Sequence, residues 1–285
     1  VILKRRYRWL SADLIVKEIK RLQEGYGANT FLFLDEDFFI NKKRILEFIS
    51  LVEKEGLHFN WRAWCRVDHF KDDFINIELL KRLSDIGYGS MVMGAESANP
   101  EILEYMKKEI TVDEIRNSLR LISGTDIFPR YSFMVGLENE TMKQIRNTYK
   151  LCLDMKETNP MVDIAGPFVF RLYPGSPIYN RLVARYSLKV PDSLESWIEH
   201  LKRQDTYTEL PWTPETFRKN LRRIIFYSDM VFNNHLKRMQ SVKAFLRYVI
   251  FCVFPRIRLR HFCFCFPFEY WLYCTLRKLG VKNEK

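Results

Sequence analysis

Helical and extended segments alternate along residues 1–180 of this 285-residue chain, which predicts an α/β fold with a parallel sheet, open or rolled into a barrel. Three observations carry that expectation. Strand-like apolar stretches end near residues 36, 66, 96, 137 and 171, about 30 to 40 residues apart, the length of a βα unit with its loops. The runs between them show helical apolar spacing. The 47% hydrophobic and 15% aromatic content suffices for a large core in one or two domains.

The elements follow in order. Leu14, Ile15, Ile19 and Leu22 form a helical stripe with Ser11 as N-cap, and TFLFLDED reads as a short buried strand. Asn41 caps a second helix bearing Ile45, Phe48, Ile49 and Val52, after which FNWRAWC alternates like a strand. A third helix carries Ile75, Leu79, Leu80 and Leu83 and stops at Gly87, followed by the strand YGSMVMGAES. Thr111 and Glu114 form a capping box for the next helix. FPRYSFMVG is the fourth strand, and the helix over 140–157 leads to VDIAGPFVF. The pattern begins with a helix that has no strand before it and with Val1 rather than Met, so one strand is expected upstream.

After Pro177 the repeat stops, which predicts domains at 1–180 and 181–285. Residues 181–240 read as helical and polar, with an exposed loop around Thr206 to Pro214. Charge marks the same division: residues 1–180 hold 26 Lys/Arg against 26 Asp/Glu, and residues 181–285 hold 20 against 9. Residues 241–279 are basic and aromatic. Arg247, Pro255, Arg256, Arg258, Arg260, Pro267 and Glu269 interrupt them well short of the ~18 to 20 apolar residues needed to span a bilayer, so they read as an interfacial or partner-facing segment. Charge interleaved with long apolar runs fits a membrane surface or lipid-like substrate better than nucleic acid. None of the six cysteines forms a C-x-x-C pair. Reduced thiols in the cytoplasm are expected, with the tail toward the inner face of the membrane. Cys252, Cys263, Cys265 and Cys274 number enough for a second cluster, but C-x-C within FCFCF reads more simply as aromatic packing with cysteine as a small hydrophobe.

Each strand delivers polar residues at the same end: Asp35, Glu36 and Asp37; Arg66 and Asp68; Glu96 and Ser97; Gly136 and Glu138; Arg171, Tyr173 and Pro174. Taken singly, each is a solvated loop or a helix cap; together they describe the rim of one pocket. Four apolar residues followed by Asp-Glu also suit a Walker B strand. That reading requires a phosphate loop upstream, since no Gly-Lys dipeptide occurs in the chain. A third reading is a barrel that serves as a binding or scaffold module. An EF-hand loop is excluded, because its carboxylates alternate along the loop.

The series FLFLDEDFF, WRAWCRVDHF, GYGSMVMGAESANPEILEYMKK, FMVGLENETMKQIRNT and FRLYPGSPIYN resembles the radical S-adenosylmethionine (SAM) enzymes, in particular the branch associated with a cobalamin-binding domain. The resemblance implies a partial (β/α)6 TIM-like barrel, here lacking its first strand and followed by a mainly helical C-terminal extension. It also implies a [4Fe-4S] cluster held by C-x-x-x-C-x-x-C. No such run occurs in these residues, so the cluster ligands are expected upstream of Val1 and the chain alone is expected to be inactive.

By the same resemblance, Asp35, Glu36 and Asp37 offer acceptors to the SAM ammonium, where charge-assisted hydrogen bonds are strong. Glu96 and Ser97 fall where the ribose or methionine part is contacted. Arg66 pairs either with the SAM carboxylate or with Asp68. Gly136 lets backbone approach the adenine, and Tyr173 and Pro174 lie at the mouth as lid or contact. Where relatives continue Gly-Leu-Pro-Gly-Glu-Thr, this chain has Gly-Leu-Glu-Asn-Glu-Thr; Asn139 can supply a left-handed residue in place of the lost turn. The implied reaction is reductive cleavage of SAM to a 5′-deoxyadenosyl radical, with cobalamin-dependent methyl transfer or oxidative ring closure as outcome. The implied partners are a small or lipid-like substrate and a reductant such as flavodoxin or ferredoxin.

Overall fold

A computed structural model of the chain describes residues 7–205, 211–233 and 246–278. The chain divides into two compact units, one reaching to Phe133 and including Asp154–Ala165, the other comprising Met134–Leu153 and the chain from Gly166 onward. Five strands form one sheet in the order β1 to β5: Thr30–Leu32, Asn60–Cys65, Tyr88–Glu96, Phe128–Val135 and Asp163–Val169. The pairs β1/β2, β2/β3 and β3/β4 are parallel, as the repeat predicts.

In the first unit the helices are α1 (Ala12–Tyr26), α2 (Lys42–Lys54), α3 (Ile77–Asp85), α4 (Pro100–Tyr105) and α5 (Val112–Ile122). Their starts follow the expected caps. The Ser11 hydroxyl accepts from Leu14 N, Asn41 Oδ1 accepts from Arg44 N, and Thr111 with Glu114 forms the reciprocal box. Alternation along the strands buries one face: Trp61, Ala63 and Cys65 on β2, Met91, Met93 and Ala95 on β3, Tyr131 and Phe133 on β4. The other face carries Arg62, Trp64, Ser90, Val92, Gly94, Arg130 and Ser132, none of them fully buried. Register places Arg62 beside Ser90, Trp64 beside Val92, Val92 beside Arg130 and Gly94 beside Ser132, so this face is mixed in character and small in side chain at the end of the β3/β4 pair. Arg130 Nε reaches Asp163 Oδ2 at 3.1 Å.

One expectation changes here. The stretch TFLFLDED is regular strand only over Thr30–Leu32, and it lies at the sheet edge with Leu32 and Leu34 exposed rather than buried. Phe33 N donating to Arg62 O and Phe38 N donating to Trp64 O keep the following residues alongside β2 without a continuous ladder.

The second unit holds α6 (Met142–Thr158) to Leu153, α7 (Pro177–Tyr186), α8 (Leu194–Asp205), α9 (Glu215–Phe232), α10 (Phe254–His261) and α11 (Phe268–Lys278). Although the sequence reads as polar here, α9 buries Phe217, Leu221, Ile224, Phe226, Tyr227 and Phe232. The loop expected to be exposed is anchored where it is described: Thr213 is buried and Trp212 Nε1 donates to Gly136 O at 3.0 Å. Its first part, residues 206–210, lies outside the described residues. Of the FCFCF stretch only part packs as expected: the Phe264 ring is buried and stacked on Tyr227 at 5.8 Å and 21°, whereas Cys263, Cys265 and Phe266 are exposed.

The first unit's fold depends on an aromatic cluster in which Phe48 meets Phe33, Phe38 and Trp61 at centroid distances of 5.4–6.0 Å. Phe48 is fully buried. A Phe48→Ala substitution is expected to destabilise the protein by about 3 to 5 kcal/mol, read as a lowered denaturation midpoint with an unchanged slope.

Candidate functional site

After β1 the chain bends so that alternate residues take opposite environments. Asp37, Phe38 and Phe39 are buried, Asp35 is half-buried, and Glu36 is exposed. Asp37 is committed: His69 Nε2 lies 2.9 and 2.8 Å from its two oxygens, and Phe39 N donates to Oδ1 at 3.2 Å. Asp35 is held less tightly, with Tyr7 Oη at 3.3 Å and Arg44 Nη1 at 3.9 Å. Burial and the adjacent Asp35 push the Tyr7 phenol up to about 12, so it stays a donor at neutral pH. Arg44, itself buried, donates to Phe38 O at 2.5 Å and lies 4.8 Å over the Phe38 ring. It fixes the bend and places a positive charge behind the acids.

The end of β2 contributes Arg66, which forms a forked pair with Asp68: Nε lies 3.0 and 3.1 Å from the two oxygens and Nη2 lies 2.7 Å from Oδ2. Asp68 is one of the two partners expected for Arg66. The pair holds the Asp68 carboxyl below its usual value despite burial, and raises the guanidinium. The end of β3 contributes Glu96, buried and in the left-handed region with φ 63°, where a non-glycine residue carries about 1 kcal/mol of strain. Lys108 Nζ reaches its Oε1 at 2.6 Å. A Cβ on Gly94 would come within 2.4 Å of the same oxygen, so the glycine leaves room for the Glu96 carboxylate where it lies. Ser97 shapes the turn, its hydroxyl accepting from Asn99 N and Nδ2 at 3.2 and 3.1 Å.

In the second unit, Gly136 has φ 83° and its N–H donates to Glu140 Oε2 at 2.5 Å; Leu137 N donates to the same oxygen at 3.1 Å. Asn139 takes the left-handed conformation at φ 65°, as the sequence leads one to expect. The other Glu140 oxygen is buried and makes no hydrogen bond, and burial pushes the carboxyl up to about 7 against the pull of the two N–H groups. Glu138 is buried and paired with Arg185 at 2.8 Å, with Arg181 Nη2 at 3.7 Å. Tyr173 is 61% exposed, Pro174 is exposed, and Tyr173 O accepts from Ser176 Oγ at 3.3 Å.

The structure thus brings Asp35, Asp37, Arg66, Glu96 and Ser97 to the C-terminal edge of parallel strands in the first unit, and Gly136 and Tyr173 to strand ends in the second. Sequence reasoning missed Tyr7, His69, Lys108 and Glu140. His69 stands three residues after Arg66 on the same turn, so its position was signalled; Lys108 and Tyr7 reach the site only through the fold.

The sequence pattern of the Radical SAM superfamily matches residues 2–152. The chain belongs to that superfamily. Among curated proteins it is 32% identical over 180 residues to the anaerobic magnesium-protoporphyrin IX monomethyl ester cyclase of Cereibacter sphaeroides, covering 62% of this chain and 28% of that protein. It is 28% identical over 180 residues to the uncharacterized methyltransferase PH0819 of Pyrococcus horikoshii, covering 63% and 37%. The match therefore spans about a third of those relatives' length. The fold is similar to that of the cobalamin-dependent SAM radical enzyme OxsB with TM-score 0.57, 13% identity and coverage of 97% of this chain and 47% of that one. It is also similar to the radical SAM methyltransferase TsrM of Kitasatospora setae, with TM-score 0.51, 18% identity and coverage of 63% and 35%.

Membership implies SAM and a [4Fe-4S] cluster. The cluster does not fit the residues present: the sequence has no C-x-x-x-C-x-x-C, and the described residues hold no group of three or more His, Cys, Asp or Glu able to take a metal. Carboxylates of the kind that accept an ammonium group do stand at the first unit's rim, with Asp37 and Glu96 buried and Asp35 half-buried.

Glu140 sets a pH dependence whose sign is fixed. Its folded-state value lies above the ordinary 4.5, so ionisation opposes folding, and the penalty grows as pH rises from 4.5 to about 7 and is constant beyond. Relative to Glu140→Gln, the native protein is expected to lose at most about 3 kcal/mol of stability across that window, measured by thermal unfolding at a series of pH values.

Proposed function

We propose that the chain forms the SAM-binding part of a radical SAM enzyme of the cobalamin-dependent kind, whose reaction is methyl transfer to an unactivated carbon, with oxidative ring closure as the second outcome. The observation that carries this reading is the set of rim acids, Asp35, Asp37 and Glu96, on the C-terminal edge of parallel strands inside the stretch that the superfamily pattern covers. The names of the two relatives, a methyltransferase and a cyclase, support the two outcomes, and the cobalamin in the titles of the similar structures supports the cofactor.

On this reading the cluster ligands and the cobalamin-binding domain belong to parts of the protein outside this sequence. Bound at this rim, SAM would supply, once reduced by one electron from the cluster, the hydrogen-atom abstraction that opens unactivated C–H bonds. The residues of this chain bind and orient. Asp35, held only by contacts of 3.3 and 3.9 Å, is the carboxylate that exchanges partners to accept the SAM ammonium. Asp37, locked by His69 and by Phe39 N, keeps the bend rigid. Glu96 turns from Lys108 to the ribose or methionine part, and the Ser97–Asn99 turn sets its direction. Tyr7, whose hydroxyl donates to Asp37 O at 2.8 Å and lies 3.3 Å from Asp35 Oδ1, steadies the bend beside Asp35. The electron comes from a reduced flavodoxin or ferredoxin, and the substrate is a small or lipid-like molecule.

Calorimetric titration of SAM into the full-length, cluster-bearing protein tests the assignment. Asp35→Asn and Glu96→Gln are each expected to weaken binding about tenfold, the order of one lost charge-assisted hydrogen bond. Unchanged affinity in both would overturn the site. A cobalamin absorbance band in the purified full-length protein is expected, and its absence after supplementation would remove the cobalamin part of the reading.

A further inference from the structure

The end of the second unit has two sides of opposite character. Inward, Pro255, Leu259, Phe264, Pro267 and Glu269 are buried. Glu269 is fully enclosed, bound by Arg258 Nε at 2.8 and 2.9 Å and by the Tyr227 hydroxyl at 3.2 Å. It is the sole acid between residues 246 and 278, so no carboxylate of this segment reaches solvent. Outward stand large apolar side chains that no core claims: Phe254, Ile257, Trp271 and Leu272 are 37–48% exposed and Phe266 is 74% exposed. Cations accompany them, with Arg256 and Lys278 exposed on the same two helices.

Phe266 shows that this arrangement is held in place. Its φ is 48°, a left-handed conformation that an aromatic residue adopts only at a cost in strain. The backbone is pinned there: Phe266 O accepts from Arg258 Nη2 and from Phe268 N, both at 2.9 Å. The consequence is a ring turned out of the fold, meeting Trp271 edge-on at 5.3 Å. An exposed aromatic pair on a strained, hydrogen-bonded turn is unfavourable in water unless something covers it.

We propose that this surface, centred on Phe266 and Trp271 and carrying the exposed Arg256 and Lys278 on the helices either side of the turn, docks on an anionic lipid bilayer. Three properties select that partner. Aromatic rings with one apolar face suit the headgroup level of a membrane. Cations with no exposed acid among them complement an anionic lipid surface. And no helix of the described residues is long and apolar enough to cross a membrane, so contact is from one side. A nucleic acid would meet apolar side chains where it needs polar ground, and an acidic protein would leave the exposed Phe266 ring without a hydrophobic counterpart.

The test is flotation of the full-length protein with vesicles of phosphatidylcholine alone and of phosphatidylcholine with phosphatidylglycerol. Binding to the anionic vesicles at low salt and its loss at high salt are expected. Phe266→Ser with Trp271→Ser, and separately Arg256→Gln with Lys278→Gln, are each expected to weaken it on the order of tenfold or more. Because the first pair can disturb folding, Trp271→Phe supplies a second reading: this variant should still bind, while the quenching of tryptophan emission by brominated lipid largely disappears. Failure of the folded protein to float, equal binding to neutral vesicles, unaltered quenching in Trp271→Phe, or displacement of the vesicles by equimolar RNA or acidic polypeptide would each overturn the proposal.

Discussion

The site in the first unit depends on one packing constraint: Phe38 and Phe39 must be buried, and the residues just before them carry three carboxylates. Phe38 lies among Phe33, Phe48 and Trp61, and Phe39 meets Tyr88 at 5.8 Å. Burying two phenylalanines is worth several kcal/mol, more than the cost of drawing one paired carboxylate partly out of water. The bend then has a single outcome. Asp37 follows the rings inward and needs His69 and Phe39 N as partners, Glu36 turns to solvent, and Asp35 is left at the rim with weak contacts. Arg44 ties both demands together, since its guanidinium stacks over Phe38 and also faces Asp35. Positioning of the reactive edge is therefore a by-product of core packing, and the core in turn tolerates the acids because each buried one is matched.

The second unit solves a related problem in the opposite sense. There a buried acid, Glu269, organises a cation, and Arg258 then binds the carbonyls of Cys265 and Phe266 that have no partner in a regular element. The four cysteines near this point are no metal centre among the described residues. Cys263 and Cys265 are exposed and their carbonyls, not their thiols, face Arg258.

Much of this was legible in the sequence, because period and capping are local. The caps at Ser11, Asn41 and Thr111 and the left-handed Asn139 follow from residues a few positions apart, and the parallel order of strands from the regular spacing of their ends. What was not legible depends on distance along the chain. Lys108 meets Glu96 only after the intervening turn folds back, and Tyr7 meets Asp35 across 28 residues. The exposure of Leu32 and Leu34 reflects an edge position, which hydrophobicity alone cannot reveal. Glu140 was visible as a loop acid. Its use as an acceptor for Gly136 and Leu137 requires the turn geometry.

On the proposed reading, SAM is held by the strand-end residues of the first unit. Hydrogen–deuterium exchange of the full-length protein, with and without SAM, tests it most directly. Slowed exchange is expected at residues 33–41 and 94–99, where the bend and the Glu96 turn would close on the ligand. Saturating SAM that leaves both segments unchanged while protecting others would contradict it.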